Sequence, residues 1–489
     1  MLNISPQEVY DGLSLENPWW ESGRPLDRIS AFPERSYLDS FQKLVFQTEP
    51  RRSVILLGPR RVGKTVMIHQ TIASLLRNGV AGMDIVYASI DRPLYNGQTL
   101  EAFVRQHLDH SAGPRDRKLW FFFDEVQYMR DWERELKSLT DLYPNIKFVA
   151  SGSAAAALKQ KSQESGAGRF TDFLLPPLTF DEFIAFQGER NPSFDNLMRF
   201  ADDGFKEAGR LSQLDIAFLN ILFERYLTFG GYPEAVISTG VQGDLNRFVR
   251  EDIVDKVLLR DLPSLYGISD TRELNSLFTT LCYNTAQEVS LEGLSKSSSV
   301  AKNTIKRYLE YLEAAFLIRS ITRIDQNARR FQRQATFKTY LANPSLRAAL
   351  FRPITQDDEY FGHLAETGVL SQWMHHPDLN GLHYARWNNG EVDLVYLDPP
   401  TQKPDWFVEV KWSDRYLNNF NEMSALRAFM DTHRDTITSG IVTTRTKFGT
   451  KNYAGIEIRF QPTAIYAWTV GRNTTRNNAK GQMELLLLP

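Results

Sequence analysis

The chain has 489 residues, a formal net charge of -2, and 42% hydrophobic, 24% charged and 12% aromatic residues. That length exceeds what one hydrophobic core organises and predicts two to four domains, while the composition excludes a disordered or fibrous chain. The charge balance excludes nucleic-acid binding by overall electrostatics, and a single cysteine, Cys282, excludes an intrachain disulfide.

The opening residues MLNISPQEVYDG lack the basic-then-apolar order of a secretory signal. The most apolar runs, VILLG and LWFFF, fall far short of the ~20 residues a membrane helix needs. A cytoplasmic protein with no membrane partner is therefore expected. Residues 1–50 read as an N-terminal extension, with NPWWESG over 17–23 and an amphipathic stretch near Tyr37 to Phe46. From Ser53 strands and helices alternate: SVILL, a helix from Gly63, DIVYASI, a helix over Leu100 to Leu108, LWFFF, a helix from Trp132, and IKFVAS. That rhythm predicts an α/β fold with a parallel sheet over residues 51–185.

Beyond Arg169 the pattern turns helical. LPPLTFDEFIAF, residues 175–186, reads as the exit from the sheet into a helical lid and linker, placed over 186–285 and opening on the loop-rich GERNPSFDN. Residues 286–325 read helix, turn, helix, strand, the order of a winged helix, placed over 286–345. From about Glu359, a helix through LAETGVLSQWM and the strands LHYARW, EVDLVYLD and WFVEVKW predict a second α/β domain over 346–470. The polar GRNTTRNNAKGQ and apolar LLLLP form an expected mobile tail over 471–489.

Gly58-Pro-Arg-Arg-Val-Gly63-Lys64-Thr65 has the G-x-x-x-x-G-K-T spacing between an apolar run and a helical pattern. Glycines let such a loop turn its amides inward around a phosphate, and the following helix adds its positive dipole end. Gly58, Arg61, Val62, Gly63, Lys64, Thr65 and Val66 are the expected ATP-binding residues, with Lys64 on the β- and γ-phosphates and Thr65 on Mg²⁺. LWFFFDE ends a strand in two acids: Asp124 is expected to hold the Mg²⁺ water shell and Glu125 to polarise the attacking water. IKFVAS ends in Ser151-Gly-Ser153, which predicts Ser151 as a γ-phosphate sensor between the P-loop and Asp124 strands. The alternative is that these serines cap a helix over AAAALK.

GPRRVGKT, FFFDEVQ, ASGSAAAAL, GRF and LPPLTFDEF together resemble one prokaryotic AAA+ ATPase family, which couples its ATPase to a C-terminal domain. GGYPEAV, TIKRYLEYLEAAFLI, KTYLANPSLRAAL and GEVDLVY resemble that second domain, so the likeness spans most of residues 17–415. The resemblance implies a homo-oligomer, in many AAA+ proteins a hexameric ring, in which an arginine of one copy reaches its neighbour's γ-phosphate. Arg169 and Arg260 are the candidates.

In VAKNTIKRYLEYLEAAFLI, Ile305, Tyr308, Leu309 and Leu312 recur at helical spacing and leave Lys302, Lys306 and Arg307 on the other face. Arg319, Arg323, Arg329, Arg330, Arg333 and Lys338 follow, with Phe331 and Phe337 among them. Lys302, Lys306, Arg307, Arg329 and Arg330 are thus the expected DNA phosphate contacts, with a solvated face or a protein contact as the alternative. Farther on, Glu366 falls on a helix, Asp393 in a strand, and Glu409-Val410-Lys411 in the next strand, where Glu409 and Lys411 share a side. Glu366, Asp393 and Glu409 are expected ligands of a second Mg²⁺ or Mn²⁺, with Lys411 as a catalytic cation for phosphodiester cleavage. That order resembles the PD-(D/E)XK nuclease superfamily, with Val392 where the family has proline. Its alternatives are a salt bridge or a site that binds without cutting. The adjacent His375 and His376 lack a third ligand at zinc spacing.

Taken together, these features predict an ATPase acting on duplex or branched DNA beside a nuclease-like domain. The alternative is a nucleotide-controlled switch that binds DNA or protein in a mobile-element or defence setting.

Overall fold

A computed structural model describes residues 5–480 apart from 27–28, 30–31, 115, 153–167, 189–191, 204–210, 331–335 and 375. Ser153, the helix over AAAALK, Phe331, Arg333, His375 and the LLLLP end lie outside the described residues. The chain divides into two compact units, one running to Pro176 and the other from Pro177 to Thr474, with the last helix passing back to the first at Thr475.

In the first unit, strands β1 (Ser53–Leu57), β2 (Ile85–Ser89), β3 (Leu119–Asp124), β4 (Ile146–Gly152) and β5 (Phe170–Leu174) pair in parallel in the order β2-β3-β4-β1-β5. β1 and β3 are buried along their whole length, which is why their sequences are unbroken apolar runs rather than alternating ones. Helices Lys64–Arg77, Leu100–His110 and Trp132–Leu142 connect them. The N-terminal extension closes the open edge at β2: Asn17 exchanges two hydrogen bonds with the Tyr87 backbone, and the indoles of Trp19 and Trp20 both donate to the Ile85 carbonyl. NPWW therefore does by side chains what a neighbouring strand would do.

The second unit carries β6 (Glu288–Ser290), β7 (Ile318–Ile324), β8 (Thr336–Leu341), β9 (Leu382–Trp387), β10 (Gly390–Leu397), β11 (Pro404–Glu409), β12 (Ser439–Thr444), β13 (Gly449–Tyr453) and β14 (Ile456–Pro462). They form one sheet in the order β13-β14-β12-β11-β10-β9-β7-β8-β6. Helices Leu291–Ser298 and Lys302–Ala314 lie between β6 and β7, so the chain there runs strand, helix, helix, strand, strand. Its sheet continues through the parallel β7–β9 pair into the C-terminal strands.

Two expectations change. Helix Phe180–Gln187 belongs with the second unit, ahead of the boundary expected at 185, because Phe180 and Phe183 bury against Phe223 and Tyr226 there. Gly471 to Lys480 continues the helix Thr463–Lys480 instead of starting a mobile tail. The buried Arg472 anchors it by ion pairs to Asp181 and Asp202, and the Thr474 hydroxyl donates to the Gln372 carbonyl.

Candidate functional sites

The P-loop leaves the carboxyl end of β1. Gly63 takes φ +97° immediately before helix Lys64–Arg77, and a Cβ on Gly58 would meet the Leu175 carbonyl oxygen at 2.3 Å, so both positions need glycine. Lys64 is buried and donates to the Gly58 and Pro59 carbonyls at 3.1 and 2.9 Å. Val62 is buried, Val66 half-buried, and Arg61 exposed at φ 63°. Arg35, which no motif or spacing singles out, is buried and donates to Val62 O at 2.7 Å and Pro176 O at 2.9 Å, clamping the loop from behind.

Across the sheet edge, the Thr65 hydroxyl donates to Asp124 Oδ2 at 2.7 Å, and Tyr87 from β2 donates to the same oxygen at 2.9 Å. β4 lies between β1 and β3, which brings Ser151 to Asp124 Oδ1 and lets its oxygen accept the Glu125 amide at 3.2 Å. Glu125 stands just past the strand in a left-handed conformation, φ 56°, and Gln127 donates to its carboxylate. Burial, with Asp124 adding to it, raises Glu125 above the usual carboxylate range against the pull of Lys64. Arg169 is not part of this constellation. It precedes β5 at the other end of the sheet and pairs with Asp141 at 3.2 Å.

The model of a family described as AAA domain matches residues 50–184. Residues 50–184 form an AAA domain. A second model, a domain of unknown function, matches residues 220–357. An uncharacterized protein of Haemophilus influenzae is 25% identical over 268 residues, 54% of this chain and 60% of that one. Another, from Methanocaldococcus jannaschii, is 24% identical over 274 residues, 55% of this chain and 56% of that one. The chain thus spans less than two thirds of the length of these two relatives. Among solved structures, C. elegans PCH-2 matches at 15% identity with TM-score 0.26, covering 46% of this chain and 65% of that one. Cdc6p from Pyrobaculum aerophilum matches at 13% identity with TM-score 0.27, covering 66% and 97%. No helix among the described residues is long and apolar enough to cross a membrane.

Outside the AAA domain, Glu366, Asp393, Glu409 and Lys411 do come together, in a cleft of about 510 Å³ that Glu366, Asp393 and Lys411 line. Helix Phe361–Trp373 supplies Glu366, β10 supplies Asp393 and Glu391, and the end of β11 supplies Glu409. Lys411 Nζ lies 2.8 Å from Glu409 and 3.3 Å from Asp393, and the Val410 amide donates to Asp393 at 2.9 Å. Lys338, expected on the basic face, is instead 2% exposed in this cluster, 2.6 Å from Glu391, 2.9 Å from Glu366 and 3.5 Å from Asp393. Tyr340 on the same strand donates to Glu366 at 2.6 Å.

Burial pushes Glu366 and Glu409 up to about 7. Burial would raise Asp393 too, but Lys411 and Lys338 hold it below its ordinary value. Among the described residues no three histidine, cysteine or acidic side chains form a set able to hold a metal ion. The expected metal shell is therefore replaced by carboxylates bridged through ammonium groups. Trp406 and Trp412 are packing residues: Trp406 stacks on Tyr396 and Trp373, and Trp412 on Phe223.

On helix Lys302–Ala314 the face division holds: Ile305, Tyr308, Leu309 and Leu312 are buried, and Lys302, Lys306 and Arg307 are exposed. Arg329 and Arg330 are exposed in the connection between β7 and β8. Arg323 is drawn inward to the Arg386 carbonyl and Glu288, and Phe337 is buried.

Proposed function

We propose that the AAA domain binds Mg-ATP and hydrolyses it, and that the cycle acts on duplex or branched DNA held by the second unit. The observation carrying this reading is the 2.7 Å contact of Thr65 with Asp124 beside the buried Lys64. A hydroxyl and a carboxylate side by side suit the oxygen shell of Mg²⁺, and the Gly58–Gly63 turn leaves a cradle without side chains for phosphate, so these residues fit the group. The magnesium nucleotide, when bound, supplies the phosphoanhydride bond and the metal charge that spans its phosphates.

Lys64 exchanges its carbonyl partners for phosphate oxygens, which accept more strongly. The amides of Arg61, Val62, Gly63, Lys64, Thr65 and Val66 close around them. Glu125 orients the attacking water and takes its proton, once released from Gln127. Ser151, joined to Asp124 and the Glu125 amide, senses the γ-phosphate. In a homo-oligomer, Arg169 or Arg260 of one copy serves the neighbouring site.

For the second unit, the strand–helix–helix–strand–strand order over residues 288–341 supports a winged helix, with Lys302, Lys306, Arg307, Arg329 and Arg330 on DNA phosphates. Glu366, Asp393, Glu409 and Lys411 support a nuclease-like fold over 346–470. As they stand, these acids do not fit a second Mg²⁺ or Mn²⁺, since Lys338 lies among them. That observation favours the second reading, a nucleotide-controlled switch that grips DNA without cutting it. ATP turnover measured with single-stranded, duplex and four-way junction DNA tests the proposal. Stimulation by duplex or junction is expected, and equal rates with all three would move the reading to a protein partner.

A further inference from the structure

We propose that the Lys338 ammonium holds the cation position of the second-unit cleft, so that its carboxylates take a divalent metal only in exchange for that side chain. The inference deepens the nuclease-like reading of the cleft and rests on it, independently of ATP turnover.

Lys338 Nζ has carboxylate oxygens of three residues, Glu391, Glu366 and Asp393, at 2.6, 2.9 and 3.5 Å. Those oxygens surround a nitrogen at hydrogen-bond distances, whereas Mg²⁺ draws oxygens to about 2.1 Å. A divalent ion sharing the cleft with this ammonium would meet a like charge within about 4 Å in poorly screened surroundings, so the two exclude each other. Charge leads to the same exchange. Four carboxylates, Glu366, Glu391, Asp393 and Glu409, face two ammonium groups, Lys338 and Lys411, so removing Lys338 leaves a deficit that a divalent ion fills.

The cleft of about 510 Å³ gives the long lysine side chain somewhere to swing. The acids come from β10, β11 and helix Phe361–Trp373, but Lys338 and Tyr340 come from β8, paired on both sides with β6 and β7. The exposed Arg329 and Arg330 stand in the connection entering β8. An ion in the cleft is thereby linked to the position of the strand that carries the basic module.

The test is a Mn²⁺ titration of the full chain without nucleotide, followed by electron paramagnetic resonance, on the parent, Lys338→Met, and Lys338→Met with Asp393→Asn. Expected is Mn²⁺ binding at least about tenfold tighter in Lys338→Met than in the parent, abolished by Asp393→Asn. Because methionine leaves buried carboxylates unpaired, Lys338→Met should melt at lower temperature, and Mn²⁺ should restore its Tm while leaving the parent's unchanged. That second readout serves even if the variant folds only with the ion. Asp393-dependent binding in the parent as tight as in Lys338→Met overturns the proposal, as does a Lys338→Met chain that Mn²⁺ neither binds nor stabilises. The first of those results would keep the nuclease-like reading and remove only the exchange; failure of the parent to bind any DNA would remove the reading and leave the exchange standing.

Discussion

The AAA domain and the second-unit cleft each bury a lysine beside acids, yet the two lysines are held in opposite ways. Lys64 donates to the neutral carbonyls of Gly58 and Pro59, while the oxygens of Asp124 take hydroxyls from Thr65, Tyr87 and Ser151. Lys338 and Lys411 donate to carboxylates directly. A cation on carbonyls gains by exchanging them for phosphate, whereas one among carboxylates already has strong partners that an incoming metal must outbid. The same residue types thus build a site prepared for an anion in one case and a self-neutralised cluster in the other.

The largest effects expected test the first half of that contrast. Glu125→Gln should lower ATP turnover by about 10²-fold or more while nucleotide binding persists, because it removes the base but keeps the shape. Lys64→Ala should instead weaken nucleotide binding itself, on the order of tenfold or more, read by fluorescent-nucleotide titration. Equal loss of binding in both variants would erase the assigned difference between the residues.

The second half is sharpened by pH. Glu366 and Glu409 lie near 7 in the fold against an ordinary value of 4.5. A carboxyl raised in this way adds stability that is complete below its unfolded value and is lost as pH rises through the folded one. The second unit should therefore lose stability from about pH 4.5 to about pH 7. Asp393 is lowered, so its own contribution is lost only on acidification below that window. Hydrogen exchange of β10 and β11 across this range measures the slope, and Glu366→Gln with Glu409→Gln should flatten it. An unchanged slope would mean the acids are not buried as neutral partners.

The smallest effect concerns the exposed face that neither cluster engages. Replacing Lys302, Lys306 and Arg307 by alanine should weaken DNA binding and make its salt dependence shallower by up to ~2.7 log units per log unit of salt, about 0.9 for each phosphate no longer neutralised. Basal ATP turnover should persist. Identical isotherms across a salt series would return these residues to solvated surface.

The sequence by itself determined the parts that depend on local order. The G-x-x-x-x-G-K-T loop, the apolar strand ending at Asp124 and the helical face of Ile305, Tyr308, Leu309 and Leu312 could be read directly, because backbone turns and helical periodicity are written in neighbouring residues. The gathering of Glu366, Asp393, Glu409 and Lys411 was also legible, since strand alternation and motif order carry it. Tertiary structure alone decided the rest. Lys338 looked like one more surface cation in a basic stretch until the pairing of β8 turned it toward three acids from other strands and a helix. Arg35 and Tyr87 reached the first site from distant segments, with no spacing to announce them. The polar residues from Gly471 looked like a tail because nothing nearby in sequence pairs with Arg472. Asp181 and Asp202, which bind it, are brought there only by folding, and partners hundreds of positions apart leave no periodicity to read.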